Sequence, residues 1–212
     1  MKKDVFATEL SKFKDDKIRQ SAENVLEMIP DYFYDIPASS SGNYHPLYAL
    51  GEHGLVRHVK AAMRILEEMF RDSVFGEYDE HTQDLMRMAL LLHDGFKSGL
   101  EYSGDTVREH PVLMSNFIKE NKDKLFISDE DAEFVSGLIL SHMGPWNTDK
   151  DGNVIMPKPA TPEQRLIHEC DYFASRNFLE VFFDEKGEID DSVDRGKVFS
   201  LNMSARNKQG NK

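Results

Sequence analysis

The sequence has little cysteine and no long apolar run, and both absences narrow its class. Cys170 is the only cysteine among 212 residues, so no disulfide can form within the chain and a reducing compartment is expected. No stretch of 18 apolar residues is present to cross a membrane. The lysine-bearing start MKKDVFATELSKFKDD also lacks the apolar core of a secretory signal. We therefore expect a cytoplasmic protein with no membrane partner.

Positive charge is also in deficit. The chain has 26 lysines and arginines against 38 aspartates and glutamates, which gives a formal net charge of −12. Such a chain lacks the broad basic surface that follows a nucleic-acid backbone. Long nucleic acid is therefore not expected as a partner, whereas a small anionic ligand held by metal ions is compatible with the charge.

No segment alternates apolar and polar residues with a period of two over a useful length, and no internal repeat is present. Apolar residues instead recur at helical spacing over Leu55–Phe70, and Leu85–Leu92 is apolar nearly all round. Ser128 begins a capping-box pattern. Thr161, followed by Pro162, is a stronger start signal for a helix predicted to continue through Phe183. The sequence predicts an all-α fold.

The chain is long enough for one large domain with a sizeable core. We expect N-terminal helices in residues 1–43 to pack on a core of residues 44–184, followed by a C-terminal extension of residues 185–212 whose polar end frays. Glycine, proline, serine and asparagine concentrate in residues 36–54 and 144–160, which predicts two loops.

The apolar segment LMRMALLLHDG closes on two chargeable neighbours, His93 and Asp94. An unpaired charge buried at such a position costs several kcal/mol. The pair therefore needs partners elsewhere in the chain, or the end of the helix lies at the surface.

Other residues of the metal-ligand type fall at core-facing or helix-end positions. His58 lies on the apolar side of its predicted helix, and His142 ends the apolar stripe of another. Asp171 shares a helix face with apolar residues, which turns its carboxylate toward the core. His110 directly precedes Pro111 and is expected to cap a new helix.

Each of these residues also has a simpler interpretation. A His-Asp dipeptide is expected about once by chance in such a chain, and His58 or His142 alone fits a hydrogen-bonded core histidine. Asp171 is harder to explain in this way, because carboxylates rarely face a core without a cation. Together the imidazoles and carboxylates predict a divalent metal site in a helical bundle.

The order of these residues and their flanking segments resembles the HD-domain metal-dependent phosphohydrolase superfamily. GLVRHVKAA is similar to the family's GGLxxHT segment, and ALLLHDGFKSG is similar to its LLHDxGK segment. SHMGPWN, followed by PKPATPEQRLIHECDYFAS, resembles the SHHG and H-x-x-D segments of HD domains related to bacterial 3′-to-5′ exoribonucleases. The resemblance covers residues 44 to 178 and implies an HD-domain helical bundle with ligands from roughly five helices.

The resemblance implies one or two divalent ions held by six side chains: His58, His93, Asp94, His110, His142 and Asp171. Asp94 would bridge the two ions, because a carboxylate has two oxygens, and a water activated between the ions would be the nucleophile. Lys97 would neutralise a phosphate oxygen, or it is an ordinary solvated lysine. Mn, Fe, Co, Ni and Zn all suit such mixed ligands.

Two positions depart from the family's pattern. HDGFK keeps Lys97 but moves the glycine, and Met143 replaces the second histidine of SHHG, which removes one possible ligand of a second ion. No OB-type β segment precedes the matching region, so the nucleic-acid module of the exoribonucleases is not expected.

Aromatic and basic residues flank the predicted ligands. Tyr44 and His45 precede the first ligand and Trp146 follows a later one, so these rings are candidates to stack on a base, with ordinary loop packing as the alternative. Arg57 and Arg108 are candidates to bind further phosphates, unless they are surface residues.

The sequence therefore predicts a phosphohydrolase that acts on a phosphoester or phosphodiester of a nucleotide or a short nucleotide-like substrate. A 3′-to-5′ exonuclease on single-stranded nucleic acid is the alternative. A second alternative is a regulatory module that binds nucleotide and metal without turnover. The sequence does not predict the oligomeric state.

Overall fold

The computed structural model describes residues 2–72, 75–180, 182–183, 188–190 and 192–193. Seven α-helices are found there: Ala7–Leu10 (α1), Asp16–Met28 (α2), Gly54–Arg71 (α3), Glu80–Leu92 (α4), His110–Glu120 (α5), Asp129–Ser141 (α6) and Pro162–Ala174 (α7). In these residues β-type pairing is limited to two isolated bridges, Thr148 with Val154 and Phe183 with Ile189. The predicted all-α fold is confirmed. Most of the predicted extension 185–212, including its polar end, lies outside the described residues.

Two of the predicted helix starts are complete capping boxes. The Ser128 hydroxyl accepts the N–H of Asp131, and the Asp131 carboxylate accepts the N–H of Ser128 in return. Thr161 and Gln164 make the same exchange at the start of α7. These bonds satisfy N–H groups that a first helical turn leaves unpaired. They fix where α6 and α7 begin and thereby which residues of each helix face inward.

Helix α4 is the centre of the bundle. It contacts α2, α3, α6 and α7, and every residue from Asp84 to Leu92 is buried. Phe6 and Leu26 belong to the same apolar core, so the N-terminal segment packs on the bundle. The end of α4 therefore lies deep in the protein, and that end carries His93 and Asp94.

A buried carboxylate attaches the N-terminal segment to α4. Asp84 accepts the backbone N–H groups of Lys14 and Asp15, each at 2.7 Å, on one oxygen. Its other oxygen accepts a hydrogen bond from Arg87 at 2.8 Å. All the polar groups of this carboxylate are thus satisfied by the protein, which makes Asp84 a structural residue.

Two helix boundaries differ from their predictions. His110 is the first residue of α5 and not its cap. Helix α7 ends at Ala174 instead of continuing through Phe183, because the N–H of Asn177 donates to the carbonyl of Tyr44 at 2.7 Å and leaves the helical ladder.

Candidate metal centre

The six predicted ligand residues converge in one cluster inside the bundle. His93 and His142 are the residues that terminate α4 and α6. Five members of the cluster have no exposed surface: His58, His93, Asp94, His110 and His142. The Asp171 side chain, from α7, keeps 15% of its surface exposed.

Asp94 lies between two pairs of histidines. Its Oδ2 lies 3.4 Å from Nε2 of His93 and 3.8 Å from Nε2 of His58. Its Oδ1 lies 3.0 Å from Nε2 of His110 and 3.7 Å from Nε2 of His142. Each oxygen therefore faces a different pair of imidazole nitrogens, which is the arrangement that a carboxylate needs to contact two cations.

Asp171 joins the first of these pairs. Its Oδ1 lies 3.0 Å from Nε2 of His58 and 3.5 Å from Nε2 of His93. Three overlapping groups have all their candidate ligand atoms within 4.8 Å of one another: His58–His93–Asp94, His93–His142–Asp171 and Asp94–His110–His142.

The backbone orients three of the four imidazoles. In each, Nδ1–H donates to the carbonyl three residues earlier, at 2.6, 2.6 and 2.7 Å: His93 to Leu90, His110 to Val107 and His142 to Ile139. A hydrogen bond at Nδ1 directs Nε2 into the cluster and leaves its lone pair for a cation.

Several buried nitrogens of the cluster are unsatisfied. Both ring nitrogens of His58 and Nε2 of His93 lack a hydrogen-bond partner among the described residues. The 3.0 Å approach of Asp171 to His58 does not have the geometry of a hydrogen bond. Buried polar groups without partners are rare and costly. A cation among these atoms would satisfy the two Nε2 groups, so the donor set fits a divalent metal.

Burial and charge set the protonation states of the carboxylates. Burial alone would raise the pKa of Asp94, but the charges of Lys97 and His93 outweigh burial and hold that pKa well below its ordinary value. The pKa of Asp171 is also lowered despite burial, through its close contacts with His58 and His93. Both carboxylates are therefore ionised, as metal ligation requires.

The histidines divide into two kinds. Burial lowers the pKa of His142 to about 3, and burial with the nearby Lys97 also lowers the pKa of His110. For His93, the attraction of Asp94 and Asp171 outweighs burial and raises the pKa to about 10. His93 thus holds a proton that balances the buried carboxylates, and a divalent cation would displace it.

Lys97 is paired with the central carboxylate. Its Nζ donates to both oxygens of Asp94, at 3.0 and 2.8 Å. The chain reaches Lys97 through a tight turn after α4, where Gly95 N–H donates to the carbonyl of Leu92 at 2.9 Å. A Cβ at Gly95 would lie 2.8 Å from the sulfur of Met114. Any residue larger than glycine at this position of HDGFK would therefore require the Met114 side chain to shift.

A cavity of about 510 Å³ adjoins the cluster. Lys97 and Asp171 line it, as do three of the predicted substrate residues, Tyr44, His45 and Trp146. His45 is a neutral ring there, because burial lowers its pKa to about 3. The volume of the cavity is in the range of ordinary small-ligand pockets.

The other two predicted substrate residues are engaged by loops. The Arg57 guanidinium donates to the carbonyls of Leu50 and Glu52, each at 2.8 Å. Arg108 donates to the carbonyl of Thr148 at 3.2 Å. Both arginines hold loop backbone in place, so neither is carried into the proposed substrate site.

Sequence reasoning assigned no role to His168, Tyr172 or Arg176, which also line the cavity. His168 lies one helical turn before Asp171, a spacing that could have identified it. Its Nδ1–H donates to the carbonyl of His142 at 2.7 Å. No local pattern identifies Arg176, which follows the end of α7.

His168 also explains a glycine of the SHMG segment. Gly144 has φ +60°, and a Cβ there would lie 2.3 Å from Cε1 of His168. Any larger residue would displace His168, and with it the carbonyl of His142. The glycine is thus needed for both its backbone conformation and the room it leaves.

Comparison with known families gives one match: the HD domain model covers residues 55–176, more than half of the chain. Neither the curated proteins nor the solved structures gave a match. Within the described residues, no helix is both long and apolar enough to traverse a bilayer.

Proposed function

This chain belongs to the HD domain family, and from that premise we propose that it is a metal-dependent phosphohydrolase. The bond cleaved is a phosphoester or phosphodiester of a nucleotide or a short nucleotide-like molecule. The observation that carries the proposal is the placement of Asp94, whose two oxygens face two separate pairs of imidazole nitrogens at 3.0 to 3.8 Å.

The residues present divide between two cation sites. His58, His93 and Asp171 would hold one ion with Oδ2 of Asp94. His110 and His142 would hold a second with Oδ1. A divalent ion bound there supplies Lewis-acid activation of water and of the phosphoryl group. Mixed imidazole and carboxylate ligands suit Mn, Fe, Co, Ni or Zn.

The chain's own residues position the substrate. Lys97 lies on the cavity wall beside Asp94, where its ammonium group neutralises a phosphoryl oxygen as charge develops. His168 fixes the backbone of His142 from the cavity side. The exposed rings of Tyr44 and Trp146 offer faces for the organic part of the substrate.

The size of the substrate follows from charge and volume. A cavity of about 510 Å³ admits a small molecule, and a net charge of −12 disfavours a long polyanion. A mononucleotide or very short oligonucleotide is therefore the expected scale.

The proposal is tested with protein purified without chelator. Bound metal is measured by elemental analysis, and release of phosphate or nucleoside monophosphate is measured over a panel of nucleotides with added Mn or Co. Asp94→Asn should abolish turnover and metal retention, whereas Asp151→Asn, the same change in an exposed loop residue, should leave both intact.

The outcomes separate the alternatives. Shortening of a labelled single strand in preference to mononucleotides would favour the exonuclease. Nucleotide and metal binding without any turnover would favour the regulatory module. Hydrolysis by metal-free protein that gains nothing from added metal would overturn the proposal.

A further inference from the structure

Arg176 lies on the wall of the cavity among three aromatic rings. The centre of its guanidinium is 4.6 Å from the ring centroid of Tyr172, 5.2 Å from that of Trp146 and 5.8 Å from that of Tyr44. A guanidinium held against ring faces is oriented by cation–π attraction, and its N–H edges are left to point elsewhere.

One N–H group on those edges lacks an acceptor. Nε of Arg176 is buried and has no hydrogen-bond partner among the described residues. Arg176 also forms no ion pair with any carboxylate of the described residues. Arg57 and Arg108 differ in this respect, because loop carbonyls accept their N–H groups. The residue as a whole is half-buried, and a buried N–H such as this one is costly unless a ligand supplies an acceptor.

The surroundings hold Arg176 in place. The planes of Trp146 and Tyr172 stack at 5.8 Å with an angle of 15°. The next residue, Asn177, is bound to the loop before α3. Its N–H donates to the carbonyl of Tyr44 at 2.7 Å, and its side-chain amide donates to the carbonyl of Asn43 at 2.8 Å. A group fixed in this way binds a ligand with little loss of conformational entropy.

Arg176 shares its cavity with Lys97 and Asp171, so one small molecule can contact the metal cluster and the guanidinium together. We propose that Arg176 binds a second phosphate of the substrate, away from the bond that is cleaved. The preferred substrate is then a small phosphate ester with two separate phosphate groups. This inference rests on the proposed function, because it takes the first phosphate to lie at the His-Asp cluster.

Phosphate fits Arg176 better than a nucleobase does. Tyr172 and Trp146 already cover one face of the Arg176 guanidinium, so a nucleobase cannot stack on that face. The free N–H edge of a guanidinium matches two oxygens of a phosphate, and such bonds to a charged partner are the strong ones.

The test uses the only tryptophan of the chain, Trp146, whose contact with Arg176 makes its fluorescence a reporter of binding that needs no turnover. Adenosine, adenosine 5′-monophosphate and adenosine 3′,5′-bisphosphate are titrated into metal-loaded protein and into chelator-treated protein. Phosphate release from the two nucleotides is measured in parallel as kcat and KM.

The bisphosphate should bind, and be turned over in kcat/KM, about 10- to 100-fold better than the monophosphate. Arg176→Gln should bring this ratio to about one, chiefly through KM, because the contact is present before and during reaction. Arg176→Lys keeps the charge without the fork and should give an intermediate ratio. Arg64→Gln, the same change at an exposed residue of α3, should leave the ratio unchanged.

Equal handling of the two nucleotides by the unmodified protein would overturn the inference without any variant. A ratio that Arg176→Gln leaves unchanged would overturn it as well. Bisphosphate binding that depends on Arg176 but leads to no turnover would support the inference and contradict the proposed function. Turnover of both nucleotides without preference for the bisphosphate would support the proposed function and contradict the inference.

Discussion

Lys97 places its ammonium nitrogen 3.0 and 2.8 Å from the two oxygens of Asp94, the same oxygens that face the four histidines. The lysine thus occupies one side of a carboxylate that both candidate ions would use. Its charge helps to keep Asp94 ionised. A cation entering the cluster would compete with Lys97 for Asp94 and release the ammonium toward the cavity, where a phosphate is expected.

Replacing Lys97 separates these two roles. Lys97→Met should retain metal at least as well as the unmodified protein, because a competing positive charge is removed. Turnover should fall by about 100-fold or more, since a stabilising donor at the developing charge is lost. Metal content after dialysis and phosphate release check the two effects. Loss of metal in Lys97→Met, but not in the surface variant Lys119→Met, would show that the lysine is structural.

The two sides of Asp94 predict a different metal count for each ligand variant. His110→Ala removes a ligand from the Oδ1 side, where the separation is 3.0 Å, and should leave one ion. Asp94→Asn should lose both ions, because the same carboxylate would serve both proposed sites. Elemental analysis after dialysis gives the counts, with His81→Ala as the exposed-histidine control. Two ions retained in His110→Ala would contradict the division.

Much of the architecture could be predicted because it follows from local patterns. The inward placement of His58 and Asp171 follows from helical spacing, and the starts of α6 and α7 follow from their capping boxes. The approach of Asp94 to four histidines could be predicted as well, provided that the inward faces of these helices meet in one core.

What could not be predicted depends on contacts between distant segments. Helix α7 stops at Ala174 because the carbonyl of Tyr44 takes the N–H of Asn177. Phe178, which the longer predicted helix would place on the same face as Asp171, is therefore 56% exposed. Arg57 was a candidate phosphate ligand, yet the loop carbonyls of Leu50 and Glu52 take its N–H groups. Neither partner is marked by any spacing along the chain.

The stability of the metal-free protein should peak near pH 6.5. The pKa of His93 is raised from 6.5 to about 10. The stability that His93 contributes is therefore fully present below pH 6.5, its pKa in the unfolded chain, and is lost as the pH rises toward 10. The pKa values of His45 and His142 are lowered to about 3. The unfolded chain therefore binds more protons below about pH 6.5, and stability also falls on the acid side.

Metal should remove the alkaline loss, because a ligated His93 no longer holds a proton. Thermal unfolding at pH 5, 6.5 and 9, with chelator and with Mn, measures the effect. Metal-free protein that is more stable at pH 9 than at 6.5 would contradict the charge balance derived for His93.

The expected substrate scale predicts a weak dependence on salt. The net charge of −12 provides no basic track for a polyanion, and each phosphate neutralised along a strand would otherwise steepen the fall of affinity with salt. Values of kcat/KM for a mononucleotide, a dinucleotide and a strand of about 20 nucleotides, at low and high salt, decide the point. A preference for the long strand that collapses as salt rises would favour the exonuclease.

Gly144 gives a test of how the backbone around His142 is held. Gly144→Ala places a Cβ 2.3 Å from Cε1 of His168 in a residue with φ +60°, which combines a clash with backbone strain. Gly152→Ala carries strain alone, since φ is +87° and nothing lies within 4 Å. We expect Gly152→Ala to cost about 1 kcal/mol and Gly144→Ala to cost about 2 kcal/mol more. Only Gly144→Ala should weaken retention of the second ion, because His168 donates to the carbonyl of His142. Denaturant unfolding and metal content measure both. Equal behaviour of the two variants would mean that His168 does not position His142.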